Sequence, residues 1–147
     1  MPSPSTSGAP AMDGSCLVNQ LLQLCGQDRD RTAFDSLHPP VLNAYQYMDR
    51  LEKYLKPSSL QLELAWIYLV RFRRATGKPL SFSSVHRLLG VSIVLAQKFD
   101  EDVPHSTVAY ARVVGVVPKE LNKLQRLFLQ EIDYRLTYPP WFNMPSA

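Results

Sequence analysis

The chain has 147 residues, 46% of them hydrophobic and 20% charged, with a formal charge of +3, which suffices for one domain with a single core. Arg71, Arg73, Arg74 and Lys78 lie close together but form no long basic tract of the kind that binds nucleic acid by charge, and they read as solvated cations at a helix C-terminus. Cys16 and Cys25 make no CxxC pair and His38, His86 and His105 are scattered, so no zinc spacing or cofactor site is expected and a reduced intracellular compartment, nuclear or cytoplasmic, is.

Residues 1–12, MPSPSTSGAPAM, lack charge and apolar periodicity and are expected to form a flexible tail. Within it, Ser3-Pro4 has the minimal form of a proline-directed phosphorylation site, a pattern that also arises by chance in such a tail. No cationic segment followed by an apolar one marks a secretory signal. Asp13 is placed to cap an appended helix running to Cys25, with Leu17, Leu21, Leu22 and Leu24 on its apolar face, and a loop from Gly26 ends in Pro39-Pro40. A second helix is predicted from Val41 to Leu55 on the spacing of Leu42, Tyr45, Met48, Leu51 and Leu55, and Lys56-Pro57 stops it. Ser58 and Gln61 form a capping box that opens a third, with Gly77 and Pro79 as its end signals.

Serines 81, 83 and 84 offer N-caps to a fourth helix. From Leu88 to Ala96 it carries no charge and leaves no polar face, so it is expected to be central, with Gly90, Ser92 and Ala96 allowing neighbours to approach closely. It then ends abruptly in Lys98, Phe99, Asp100, Glu101 and Asp102, which points to a buried helix whose last turn reaches a functional surface. The three acids suit either an exposed acidic loop or a divalent-ion or acid–base site. A short helix spans about 106 to 114 and ends at Gly115. The last opens on Pro118 and is predicted to run to Leu136. Its apolar arc of roughly 200° is wider than one core face needs, and the margin holding Gln125, Leu129 and Leu136 is open to a partner or to another helix of the domain.

Several segments in order resemble the cyclin box, and more closely the P/U-type cyclins, the family of the yeast phosphate-response cyclin. PPVLNAYQYMDRLEKYL is similar to that family's first box helix, LAWIYLVRF to its second, SVHRLLGVSIVLAQKFDED to its third, and AYARVVGVVPKELNKLQRLFLQEIDYRL to its fourth and fifth, so the likeness covers about residues 14 to 138. The resemblance implies an all-α fold: a single five-helix cyclin box at 40–138, preceded by an additional N-terminal helix and loop at 13–39 and followed by a C-terminal extension at 139–147. It implies a non-catalytic regulatory subunit that binds a cyclin-dependent protein kinase and activates it by engaging its αC helix. No small-molecule substrate, cofactor, membrane or nucleic-acid partner is expected. A cyclin-fold adaptor or transcription-factor-like module without kinase activation is the alternative, while an enzyme is disfavoured by the lack of a Walker loop, HExxH, GxSxG or nucleophile–base spacing.

Carried over by position, the kinase-binding residues are Lys98, Phe99, Gln125, Leu129, Tyr134 and Leu136. In the family the lysine donates to backbone carbonyls near the kinase αC helix and is usually joined by a fifth-helix glutamate. Gln125 stands at that glutamate's position and keeps an acceptor and a donor but not the charge, which implies either weaker binding or a different kinase. A second departure is that Arg50 matches a first-helix arginine whose acid partner is replaced by Val70, so Arg50 is expected to find another carboxylate or to stay exposed. No counterpart of the substrate-docking patch of cell-cycle cyclins is assigned.

Overall fold

A computed structural model of the chain describes residues 12–27, 32–36 and 41–139. Residues 1–11 and 140–147, and with them Ser3-Pro4 and nearly all of the expected tail and extension, lie outside the described residues, as do 28–31 and 37–40 of the first loop. The described residues form six α-helices, and the only strand-like feature among them is an isolated parallel bridge between Cys25 and Leu80.

The first helix, α1 (Gly14–Gln23), is capped as its sequence predicts, the Asp13 carboxylate accepting from the Cys16 amide at 2.8 Å. It stops before Cys25 because that residue sits in the bridge to Leu80. Leu17, Val18 and Leu21 are fully buried, and α1 packs on three later helices, α2 (Ala44–Leu55), α3 (Ser59–Thr76) and α4 (Val85–Asp100). The helix read as an appendage is therefore part of the core. A capping box of Asn43 and Gln46 starts α2 three residues later than its apolar spacing suggests. The expected box of Ser58 and Gln61 opens α3, and Gly77 closes it at φ 72°.

The serines before α4 do not cap it with their side chains. Instead the hydroxyls of Ser81 and Ser83 donate to the buried carboxylate of Asp35, Ser83 at 2.5 Å, and the Thr32 amide donates to it at 2.6 Å. Burial opposes the Asp35 charge, but the hydrogen bonds from Ser81, Ser83 and Thr32 outweigh it and hold the carboxyl below its usual range. Phe34 beside it packs edge-on to Phe72 and Phe128, at centroid separations of 5.4 and 6.1 Å. Segment 32–36 thus plugs one side of the core.

Uninterrupted burial from Leu88 to Gln97 makes α4 the central helix, in contact with α1, α2 and α3 and with two more, α5 (Thr107–Val114) and α6 (Pro118–Glu131). A side chain at Gly90 would place its Cβ 2.9 Å from the Tyr47 hydroxyl and 3.2 Å from Val114, so glycine is what lets α4 approach α2 and α5 together. The last helix ends five residues earlier than predicted. Asp133 and Tyr134 both turn into the left-handed region at φ 57°, and the Tyr134 amide returns to the Leu129 carbonyl at 2.8 Å. The stretch that follows is held by α3: Arg71 donates to the Arg135 carbonyl at 2.7 Å and the Tyr68 hydroxyl to that of Leu136 at 2.8 Å. Arg71 is thus not a freely solvated cation, whereas Arg73 and Arg74 do occupy the last turn of α3. None of the described helices is long and apolar enough to cross a membrane.

Candidate functional site

Where the uncharged run of α4 gives way to polar residues, the helix leaves the core. Gln97 has no exposed surface, Lys98 is half-buried and Phe99 is 44% exposed. The Lys98 ammonium donates to Gln125 Oε1 at 2.9 Å and lies 5.7 Å from the centroid of the Tyr110 ring, within reach of a cation–π attraction. Gln125, on α6, is only 7% exposed, and its Nε2 faces the Leu121 carbonyl at 3.5 Å. Burial pushes the Lys98 ammonium below its ordinary value, and no carboxylate of the described residues pairs with it.

The neighbouring acids are engaged elsewhere. Gln61 Nε2 donates to Asp100 Oδ2 at 3.1 Å and to Glu101 Oε2 at 2.8 Å, while its Oε1 accepts from the Ser58 amide at 3.1 Å and from Gln97 Nε2 at 3.2 Å. Gln97 Nε2 also reaches the Leu55 carbonyl at 2.8 Å. Asp100 and Glu101 are therefore fastened to the start of α3 while Asp102 stays exposed, and no group of three His, Cys, Asp or Glu side chains among the described residues is placed to hold a metal ion.

Tyr110 lies beneath Lys98 because α5 is clamped. A helix leaves its last four carbonyls without helical partners, and here all four are satisfied. The Ala111 carbonyl accepts from the amides of Gly115 at 2.8 Å and Val116 at 3.0 Å. Arg50 of α2 donates to the carbonyls of Arg112 at 3.0 Å and Val113 at 2.9 Å, and the Tyr47 hydroxyl donates to that of Val114 at 2.6 Å. Arg50 thus takes neither course expected of it. It finds helix-terminal carbonyls instead of a carboxylate, and the negative end of the helix dipole suits its charge. Val70, at the position of the missing acid, lines a groove with Trp66 and Ile67, while Arg50 faces α5.

Of the six residues carried over by resemblance, the structure joins Lys98 to Gln125 directly, and Phe99 follows Lys98 as an exposed residue of the last turn of α4. Leu129 stands one turn beyond Gln125 on α6, half-buried and packed on the core. Tyr134 and Leu136 lie past the end of α6 rather than on it, Tyr134 60% exposed and Leu136 packed on the core. Sequence reasoning missed Tyr110, Tyr47 and the part played by Arg50. A buried tyrosine four residues before the end of an eight-residue helix gave no pattern of its own, and only the early Gly115 stop hinted at carbonyls needing outside donors.

Residues 7–136 match the family model for cyclins. Cyclin-U3-1 of Arabidopsis thaliana is 35% identical over 117 residues, which are 80% of this chain and 53% of that protein. Cyclin-P3-1 of Oryza sativa subsp. japonica is 36% identical over 129 residues, 87% of this chain and 55% of that protein. Cyclin-U4-1 of Arabidopsis thaliana is 33% identical over 115 residues, 78% and 57% respectively. The chain spans about half the length of the curated relatives it matches.

Proposed function

The chain belongs to the cyclin family, and from that premise we propose that it is a non-catalytic regulatory subunit that binds a cyclin-dependent protein kinase and activates it by engaging its αC helix. The observation that carries this reading is Lys98. It lies in the last turn of α4, directly after the buried run Leu88–Gln97, is tethered to α6 through Gln125 at 2.9 Å, and keeps two of its three donors for a partner. Phe99, Leu129, Tyr134 and Leu136 are assigned to the same surface, with Phe99 and Tyr134 as its exposed members.

A surface fixed to a packed core does not yield when it meets a mobile element. If it fits only the active arrangement of the kinase, binding shifts the kinase population toward that arrangement. Pairing of the kinase's strand lysine with its αC glutamate depends on where αC lies, so a rigid clamp on αC controls catalysis without contributing a catalytic group.

The test is to purify the chain from the cells that express it, identify the co-purifying kinase, and reconstitute the pair. The chain alone should transfer no phosphate, and adding it should raise the kinase's activity. Lys98→Glu and Phe99→Ala should both weaken binding. Normal binding by both variants, or phosphate transfer by the isolated chain that survives repurification, would overturn the reading.

A further inference from the structure

Resting on the kinase-binding reading, one feature of Lys98 identifies what its partner must bring. The ammonium is half-buried already, and docking would remove the water that still reaches it. Its contacts within the chain are the neutral oxygen of Gln125 and the face of Tyr110, neither of which cancels a full charge. Backbone carbonyls of a partner would satisfy its remaining donors and still leave a net positive charge enclosed, which is unfavourable without a counter-ion. The two nearest acids, Asp100 and Glu101, are already engaged, and the exposed Asp102 makes no ion pair with Lys98. Asp100 and Glu101 take both amide hydrogens of Gln61, itself only 4% exposed, and drawing either acid onto Lys98 would strip a buried amide of a partner.

We propose that the partner completes this site with a carboxylate laid against Lys98, and that Gln125 is the positioning residue that selects such a partner. With glutamine at 125 the lysine is held in place but its charge is left for the other protein to neutralise. A glutamate there would neutralise it from within and repel an incoming acid. Residue 125 therefore sorts partners by the charge they carry at one position.

The experiment uses the full chain and the kinase that co-purifies with it, with affinities measured for wild type, Lys98→Met and Gln125→Glu. Lys98→Met should weaken binding by at least about tenfold. Gln125→Glu should weaken it comparably, and converting one acid of the kinase's contact surface to its amide should restore the affinity of Gln125→Glu while weakening that of the wild type. If Gln125→Glu binds as tightly as wild type or tighter while Lys98→Met binds weakly, the carboxylate is wrong and the kinase-binding reading stands. If neither variant changes the affinity, the reading of the site itself falls. Should Gln125→Glu not fold, coupling decides: an acid-to-amide change in the kinase must weaken binding to wild type and be silent against Lys98→Met, and the absence of any such acid overturns the proposal.

Discussion

Two cations that reach out from the helical core without a carboxylate partner, Arg50 and Lys98, end differently. Arg50 spends its guanidinium inside the chain, closing two carbonyls at the end of α5, with Tyr47 closing a third. Lys98 makes one hydrogen bond, to a neutral amide. Both depart from the charge pairs that the family resemblance leads one to expect, since Val70 and Gln125 stand where acids would be. The difference teaches that losing an acid has two outcomes. Backbone carbonyls at a helix end can absorb a planar guanidinium, whose rigid fork reaches two acceptors at once, whereas a single-point ammonium facing one amide is left with charge to share. The first cation is structural, and the second is the one we assign to the proposed interface.

The largest expected effect belongs to neither and sets the scale for both. Ile93 has no exposed surface and lies near the middle of α4, so Ile93→Ala should lower stability by about 2–5 kcal/mol in chemical denaturation. Arg50→Met should follow, at about 1–2 kcal/mol, because it removes the donors to the carbonyls of Arg112 and Val113, which water replaces only in part, while roughly preserving packing. Hydrogen exchange should speed up in α5 before it does in α3. Lys98→Met reverses the pattern: the hydrogen bond lost to Gln125 is offset by relief of a half-buried charge, leaving stability within about 0.5 kcal/mol of wild type, but kinase affinity reduced at least about tenfold, near 1.4 kcal/mol. If Arg50→Met melts like wild type, or Lys98→Met is the less stable of the two, the division between a structural and an interface cation fails.

How much of this was legible in the sequence depends on whether the deciding force is local. The caps Asp13 and Ser58, the Gly77 and Gly115 stops and the buried run of α4 were readable because each acts within a few residues. The end of α6 was not: the apolar spacing continues to Leu136, but Tyr68 and Arg71, more than sixty positions away, capture the carbonyls of the last residues and favour a turn at Asp133 and Tyr134. The same holds for Asp35, which looks like one more loop charge until Ser81 and Ser83 converge on it. Within the site, the meeting of Lys98 with residue 125 was available only through the family resemblance. Its physical content, a lysine without a counter-ion, required knowing that Gln61 detains the nearby acids.

The smallest expected effect is a pH dependence that separates the two cations once more. Burial places the folded-state value of Lys98 below the ordinary 10.5 of an exposed lysine. Between that lowered value and 10.5 the unfolded chain binds more protons than the folded one, so this group makes stability rise with pH across the window; at neutral pH, where both states are protonated, its burial is a constant cost. Melting curves of wild type and Lys98→Met through the alkaline range should therefore converge or cross in the wild type's favour as pH climbs. The Cys25 thiol, pushed up to about 11 by burial, and the buried hydroxyls of Tyr47 and Tyr68, raised mainly by burial, titrate in both proteins and cancel in the difference. In the kinase complex the sign inverts. If the partner lays a carboxylate on Lys98, as proposed, that contact holds the proton, so affinity should fall as pH rises through the same window, and the fall should be absent from Lys98→Met. A difference curve flat in both experiments would mean that the ammonium is solvated in the free chain and unpaired in the complex, removing the contrast with Arg50 at its source.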